Sequence, residues 1–286
     1  MNSYILTLPN GLKIDFQTAC DLRHDEQARL YMGAHMPGVT AEEKRSGQDG
    51  RADILVHHGF SEKTRLSSKG QSITFMTPAA DEFSRDICHL LYGIERRALL
   101  KDGYYPVHAA CAGKDGRYVL LIGHSGAGKS TLAQDLVVNH GYRLFSGNKT
   151  VVRFDEKTHE LKAVAGTRTM TMLEGGKSRY SYELEDRQYA EESEVTISAL
   201  AITRLNDGVK ESKKLARTTG VRTMLPFFMD VANAHVVVGD YHVFNGNVPA
   251  AVTHHLNRNL RQTLKEVPLC RYAGPLPYLS RKIQSL

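Results

Sequence analysis

The sequence predicts an α/β fold: a P-loop core built on a mixed β-sheet, behind a small N-terminal β-rich lobe. The run RYVLLIGHSGAGKSTLAQDLVV (117–138) is the first observation, because an apolar strand, a glycine-rich turn and a helical apolar spacing follow one another in it. Short strand-like segments with turn signals on both sides of this run are the second. The length of 286 residues, with 41% hydrophobic and 24% charged residues, fits one large globular domain or a core with an appended lobe.

Residues 1–76 are predicted to form the β-rich lobe. A P-N-G turn divides residues 3–16 into the two strands of a hairpin, and residues 64–76 predict a second hairpin. Between them, residues 52–58 predict a strand, whereas the polar, glycine-bearing segment 36–52 predicts a loop. No motif in this lobe indicates a particular chemistry.

A helix over residues 77–103 is expected to connect this lobe to the P-loop domain, which takes in residues 77–286. Thr77 is placed to cap the helix, Pro78 suits its first position, and Gly103 marks its end. The apolar side chains that share one face of this helix are Phe83, Ile87, Leu90, Leu91, Ile94 and Ala98.

The remaining elements predicted for the core alternate with turn signals. Asp115-Gly116 marks one of these turns, and Asn206-Asp207-Gly208 is a hairpin signal between the strands predicted at 197–205 and 209–216. The last predicted helix contains Pro226. In chain order the predicted strands lie at 107–114, 118–122, 142–146, 150–154, 160–166, 197–205 and 209–216, and the predicted helices lie directly after the glycine-rich turn and at 219–234.

The glycine-rich turn carries the strongest chemical signal. Gly123, Gly128, Lys129 and Ser130 fill the fixed positions of G-x-x-x-x-G-K-[ST], a loop in which backbone N–H groups at a helix N-terminus bind phosphates. We expect Lys129 to reach the β- and γ-phosphates and the Ser130 hydroxyl to bind Mg²⁺. The alternative is a glycine-rich turn that binds nothing. The predicted nucleotide contacts are Gly123, His124, Ser125, Gly126, Ala127, Gly128, Lys129, Ser130 and Thr131.

Residues 106–154 resemble the core of the HPr kinase/phosphorylase superfamily, whose fold is related to that of phosphoenolpyruvate carboxykinases. The resemblance rests on the strand histidine His108, on the G-x-S-G-x-G-K-S turn at 123–130 and on Tyr142-Arg143-Leu144. A weaker match in strand and hairpin order extends to about residue 245. The resemblance implies a fold of this kind and an ATP-dependent kinase that acts on a hydroxyl group of a protein or a small molecule.

The acidic pair of that family is absent here. The resemblance implies that one aspartate of the pair accepts the hydroxyl proton and the other helps to hold Mg²⁺, but this chain has Gly147-Asn148-Lys149 in that place. Asn148 can ligate a cation through its amide oxygen, although it is no base at neutral pH. Lys149 can neutralise charge on a transferring phosphoryl group or bind an anionic acceptor.

Two residues are candidates for the missing base. His108 has an ordinary pKa near neutrality, and its alternative role is that of a buried, hydrogen-bonded core residue. Glu174 ends a strand-like segment beside a glycine turn, and its alternative role is that of a solvated turn residue. The polar, tyrosine-rich segment 174–194 is either a lid over the acceptor or a surface loop. His124 is expected to face solvent.

The sequence therefore predicts an ATP-dependent kinase that uses ATP, or another nucleoside triphosphate, with Mg²⁺. Its acceptor is a hydroxyl of a metabolite, nucleoside or sugar, or of a peptide serine. The absent acidic pair favours a small molecule over a carrier protein, and a cation at position 149 favours an anionic acceptor. A nucleotide-binding module without turnover is the alternative. The catalytic candidates are His108, Lys129, Asn148, Lys149 and Glu174.

Composition argues against several other classes of protein. No apolar run reaches the length of about 18 residues that a membrane span needs, and no basic region followed by an apolar core begins the sequence, so we expect neither a membrane span nor a signal peptide. Four scattered cysteines without a C-x-x-C pair predict free thiols in a cytoplasmic protein and no zinc site. The net charge of +6 is spread along the chain, which favours nucleotides over nucleic acid as ligands. The sequence leaves homo-oligomerisation open.

Overall fold

The chain is a mixed α/β protein with two mixed β-sheets, and it divides into two compact units. The computed structural model describes residues 1–44, 52–174, 178–182, 184–233, 236–238, 241–243 and 250–286. The first unit comprises Met1–Asp102 with Ala234–Gly246, and the second comprises Gly103–Asn233 with Asn247–Leu286. The division into domains at residue 77 stays a prediction.

Six strands form the sheet of the first unit. They are β1 (Asn2–Thr7), β2 (Lys13–Thr18), β3 (Thr40–Glu43), β4 (Ile54–Phe60), β5 (Arg65–Lys69) and β6 (Ser72–Thr77), in the order β3-β1-β2-β4-β6-β5. β2, β4 and β6 are parallel neighbours, and the other pairs are antiparallel. The two predicted hairpins and the strand expected at 52–58 are confirmed. The loop expected at 36–52 is wrong for β3, whose backbone pairs with β1, while residues 45–51 lie outside the described residues.

Two helices, α1 (Glu26–His35) and α2 (Arg85–Lys101), pack against this sheet. The helix expected from residue 77 begins later, because Ser84 caps it by accepting a hydrogen bond from the Ile87 N–H at 3.4 Å. Thr77 instead ends β6, where its buried hydroxyl lies 2.9 Å from Nε2 of His58. A residue that a strand already holds cannot also cap a helix, so the prediction of Thr77 as cap is wrong.

The second unit holds most of the predicted core. Its elements are β7 (Tyr104–Val107), β8 (Ala109–Lys114), β9 (Arg117–Ile122), α3 (Lys129–His140), β10 (Arg143–Ser146), β11 (Thr150–Phe154), β12 (Leu161–Gly166), β13 (Met170–Glu174), β14 (Ser178–Tyr182), β15 (Val195–Leu205), β16 (Glu211–Lys214), α4 (Arg217–Asn233), α5 (Ala250–Glu266), β19 (Leu269–Gly274) and α6 (Leu276–Gln284). Between α4 and α5, the short antiparallel pair β17 (Val236–Val238) and β18 (Tyr241–Val243) belongs to the first unit.

Nine strands form the large sheet of the second unit, in the order β10-β8-β9-β15-β12-β11-β7, with β19 paired to β15 and β16 paired to β19. The hairpin expected around Asn206-Asp207-Gly208 is wrong, because β16 pairs with β19 and not with β15. β9, β15 and β19 are parallel to one another. The strand expected at 107–114 is interrupted at His108, because Val107 pairs with β11 whereas Ala109 pairs with β9. The chain changes partner strands at this histidine, and one predicted strand becomes two.

The parallel strands are buried by helices on the face that bears α3. Leu132 and Leu136 of α3 and Leu279 of α6 pack there against Val119 and Leu121 of β9. This packing fixes the first turn of α3 at the carboxyl end of β9, next to the glycine-rich turn that connects the two elements. This arrangement positions the candidate site.

Two properties of the described residues are the hydropathy of their helices and the state of their cysteines. Within these residues, no helix is long and apolar enough to cross a membrane. All the cysteines, Cys20, Cys88, Cys111 and Cys270, are free thiols and are buried.

Candidate functional site

Residues 123–128 connect β9 to α3 and are called the glycine turn below. Gly126 and Gly128 adopt positive φ angles of 78° and 82°. A Cβ added to Gly128 would lie 2.5 Å from Cβ of Leu205, and one added to Gly123 would lie 2.8 Å from the carbonyl oxygen of Thr203. Glycine is therefore required here both for the backbone conformation and for the close approach of β15.

The end of β15 is bonded directly to the glycine turn. The Leu205 N–H donates to the carbonyl oxygen of Ala127 at 2.9 Å. The first hydrogen bond of the helical ladder runs from the Leu132 N–H to the Gly128 carbonyl oxygen, also at 2.9 Å. The N–H groups of the residues between, at the start of α3, point out of the helix N-terminus and have no partner within the helix ladder. This is the backbone geometry that binds anions.

Lys129 folds back into the glycine turn. Its Nζ donates to the carbonyl oxygens of Gly123 at 2.9 Å and His124 at 3.1 Å. The residue is 6% exposed, and among the described residues no carboxylate forms an ion pair with it. Burial lowers the pKa of this ammonium from 10.5 to about 8. The turn thus encloses a positive charge that carbonyl dipoles solvate and no acidic group neutralises.

The other predicted nucleotide contacts surround this ammonium group. Ser130 and Thr131 lie in the first turn of α3 and are half-buried, whereas His124, Ser125 and Gly126 are exposed at the tip of the glycine turn. The exposure expected for His124 is confirmed. Its ring also lies 5.2 Å from that of Phe227 in α4, a contact that the sequence did not predict.

His108 lies beside the start of the glycine turn. Ala109, the residue after His108, pairs with Ile122, the residue before Gly123. The side chain of His108 is half-buried. The Thr150 hydroxyl donates to the Ala109 carbonyl oxygen at 2.9 Å, which places the start of β11 at the same corner of the sheet. The structure therefore brings the predicted histidine and the segment before β11 to the glycine turn.

The Gly147-Asn148-Lys149 segment is an ordered turn between β10 and β11. The Thr167 hydroxyl oxygen accepts hydrogen bonds from the N–H groups of Asn148 at 3.1 Å and Lys149 at 3.0 Å. A Cβ at Gly147 would lie 2.5 Å from Cγ of Met170. An aspartate therefore does not fit at position 147 without movement of Met170 and of the Thr169 backbone.

Glu174 is the last residue of β13 and pairs with Ser178 of β14. Its side chain and residues 175–177 and 183 lie outside the described residues. The segment 174–194 includes β14 and a short 3-10 turn at Asp186–Gln188. Its role as a lid stays a prediction.

A cavity of about 1000 Å³ opens beside the glycine turn. Residues 123–127 form one wall, and the ends of β15 and β19, with parts of β16 and α4, form the rest. Arg204, Glu211, Phe227 and Arg271 line it, and sequence reasoning missed all four. The predicted catalytic residues His108, Lys129, Asn148 and Lys149 are not part of its lining. Only Arg204 had a usable sequence signal, since it is the one charged residue of the long apolar strand ISALAITRL and lies next to its last position.

The side-chain oxygen atoms near the glycine turn could coordinate Mg²⁺ only together with the phosphate oxygens of a bound nucleotide. Mg²⁺ prefers oxygen ligands and retains several waters. The Ser130 hydroxyl and the Asn148 amide are the predicted oxygen donors. In the part of the chain that the structure describes, no group of three or more His, Cys, Asp or Glu side chains is arranged to hold a metal ion. Phosphate oxygens would have to complete the coordination.

Comparisons with known proteins give a distant likeness to solved structures. No protein-family model matches the chain. No curated protein matches it either. Among solved structures, the chain is similar to the HPr(Ser) kinase/phosphatase from Coxiella burnetii, with a TM-score of 0.31 and 12% identity over 63% of this chain and 92% of that chain. The relationship that this indicates is distant and structural.

The Gly128→Ala substitution tests the packing of the glycine turn. We expect a loss of about 2–4 kcal/mol in the free energy of unfolding, because a positive φ angle and a clash with Leu205 both oppose the methyl group. Gly116→Ala is the matched control, since Gly116 has a φ angle of 75° but open space around its Cβ position. For the control, chemical denaturation should show a loss of about 1–2 kcal/mol in the free energy of unfolding. Equal losses would mean that β15 does not restrict the turn.

Proposed function

We propose that this protein is an ATP-dependent kinase that transfers a phosphoryl group to a hydroxyl of a small molecule. One observation carries the proposal: the ammonium group of Lys129 is buried inside a glycine turn at a helix N-terminus, and among the described residues no carboxylate pairs with it. Burial of a charge without an ionic partner costs free energy of folding. Proteins retain such a group mainly where a ligand of opposite charge binds to it. A triphosphate supplies several negative charges in the required volume.

The triphosphate would be bound by the glycine turn and the first turn of α3. N–H groups of the helix N-terminus would donate to the phosphate oxygens, and Lys129 would contact the β- and γ-phosphates. The hydroxyl of Ser130 would ligate Mg²⁺, which, when bound, neutralises charge on the phosphates. ATP or another nucleoside triphosphate fits these contacts equally, because all of them are to phosphates.

In the proposed reaction, the hydroxyl oxygen of the acceptor attacks the γ-phosphorus. The bond to the β–γ bridging oxygen breaks, and the nucleoside diphosphate leaves. His108, adjacent to the Ala109–Ile122 pair at the end of β9, would accept the hydroxyl proton, since the ordinary pKa of histidine side chains lies near neutrality. Lys149 would stabilise charge on the group in transfer, and Asn148 would orient the metal shell or the acceptor. Positioning and charge stabilisation carry most of the catalysis in this reaction class, so the absence of an acidic pair does not preclude it.

The size of the cavity supports a small acceptor. A volume of about 1000 Å³ beside the glycine turn suits a nucleotide together with a metabolite-sized molecule. Free, buried thiols fit a reducing compartment, and we place the activity in the cytoplasm.

A nucleotide-binding module without turnover is the second candidate. The observation that favours it is the tight packing at Gly147, which leaves no room for an acidic side chain at that position. Such a protein would bind Mg·ATP through the same glycine turn and release no ADP with any acceptor. Measurement of ADP release and of phosphoryl transfer separates the two functions.

ADP release and transfer of labelled γ-phosphate to a panel of hydroxyl compounds test the proposal. We expect turnover in the wild type and a loss of at least tenfold in Lys129→Ala, about 1.4 kcal/mol, because the charge on the phosphates loses its partner. Lys157→Ala is the control, since Lys157 is exposed at a hairpin tip. Mg·ATP binding that depends on Lys129, with no transfer to any compound, would support the second candidate. Binding and turnover unchanged in a folded Lys129→Ala protein would refute both.

Three variants at the corner beside the glycine turn test the assigned roles. We expect Lys149→Ala to lower kcat/KM for the acceptor at least as much as Asn148→Ala, with little change in ATP affinity, since its cation acts on the acceptor side. His108→Ala should remove the fall of kcat/KM on the acidic side of the pH profile, because in the wild type protonation of a general base prevents proton acceptance. A kinetically silent Lys149→Ala beside a severe His108→Ala would assign the catalytic role to His108 alone.

Nucleotide affinity should fall at alkaline pH. Lys129 has a pKa of about 8 in the free protein, and bound phosphates would raise it, so binding requires the protonated ammonium. Affinity for Mg·ATP should be full below pH 8 and should fall by up to about tenfold per pH unit above it. In Lys129→Arg the guanidinium stays charged, and any remaining affinity should be constant over this range. Titration calorimetry from pH 7 to pH 10 measures the effect, and a flat wild-type profile would contradict it.

A further inference from the structure

Two arginines on neighbouring strands line the cavity beside the glycine turn. In the parallel pair of β15 and β19, Ile202 is level with Arg271 and Arg204 is level with Ala273. Arg204 and Arg271 are therefore two positions apart in register on one face of the sheet. At ordinary strand spacing their Cα atoms are about 8 Å apart, so that two guanidinium groups can reach one ligand.

Neither arginine has a partner among the described residues. Neither forms an ion pair there, although Glu211 lines the same cavity. Both side chains are exposed to the cavity and the solvent around it. Two like charges at this spacing repel each other, and a shared oxyanion would replace repulsion with two bidentate contacts. The guanidinium fork matches the geometry of a carboxylate or a phosphate.

The other residues that line the cavity indicate how a bound ligand would be oriented. The glycine turn, where the proposed phosphoryl donor binds, lines the same cavity as the arginines. Pro226 and Phe227 of α4 provide apolar surface in this lining, and the Phe227 ring contacts His124 of the turn. A molecule with its anionic end at Arg204 and Arg271 would extend past this apolar surface and present its other end to the γ-phosphate.

Resting on the proposed kinase function, we infer that this cavity is the acceptor site and that Arg204 and Arg271 bind an oxyanion of the acceptor. The substrate class is a small hydroxyl compound that carries a carboxylate or a phosphate at the end remote from the reacting hydroxyl. Arg204 and Arg271 determine specificity by this contact and take no part in proton transfer.

Binding of simple oxyanions to the nucleotide-loaded protein tests the inference. The protein is first saturated with Mg²⁺ and a non-hydrolysable ATP analogue, so that the glycine turn is occupied. Inorganic phosphate and acetate are then titrated separately by calorimetry or NMR. We expect one of the two to bind, and the stronger of them identifies the acceptor's anionic group. Arg204→Gln and Arg271→Gln should each weaken that binding at least tenfold, with partial recovery in the Arg→Lys variants.

Arg258→Gln is the matched control, because Arg258 is exposed on α5 and does not line the cavity. It should leave oxyanion binding unchanged, and all the arginine variants should keep the affinity for the ATP analogue within about twofold. Failure of the wild type to bind the analogue would refute the kinase proposal itself. Normal analogue binding with no oxyanion binding, or with binding unaffected by Arg204→Gln and Arg271→Gln, would overturn the inference alone. Loss of analogue affinity in these two variants would show that the cavity holds the nucleoside instead.

Discussion

The site depends on how one ammonium group is held. Nζ of Lys129 bonds to the carbonyl oxygens of Gly123 and His124, which fix its position without neutralising its charge. The partial positive charge at the N-terminus of α3 adds to the same field. Desolvation of this charge lowers the lysine pKa, and no carboxylate in the described part of the chain forms an ion pair with it. A ligand with several negative charges in a small volume would supply an anionic partner.

β15 connects this ammonium group to the rest of the second unit. The strand is parallel to both β9 and β19, so its carboxyl end lies between the glycine turn and Arg271. Its last residue, Leu205, bonds to the turn and packs against Gly128, while Arg204 lines the cavity. One strand end therefore fixes the conformation of the proposed donor site and one wall of the proposed acceptor site. Phosphoryl transfer requires such fixed geometry between two ligands.

Sequence patterns over a few adjacent residues predicted the turns and most of the hairpins, but not the features that depend on strand pairing. The glycine turn and the hairpins follow from residues adjacent in sequence, and so they could be predicted. The start of α2 could not be, because the pairing of β6 with its neighbours decides whether Thr77 is in a strand or a cap. The break at His108 likewise results from two different partner strands. Arg204 and Arg271 are far apart in the chain, and only the pairing of β15 with β19 brings them together.

A crystal structure of the protein with Mg²⁺ and a non-hydrolysable ATP analogue tests the central claim most directly. We expect the β- and γ-phosphate oxygens to lie within hydrogen-bonding distance of Lys129 Nζ and of the N–H groups at the start of α3, with the Ser130 hydroxyl on the metal. A triphosphate bound elsewhere, with Lys129 still bonded only to the carbonyl oxygens of Gly123 and His124, would contradict the assignment of the glycine turn as a phosphate-binding site.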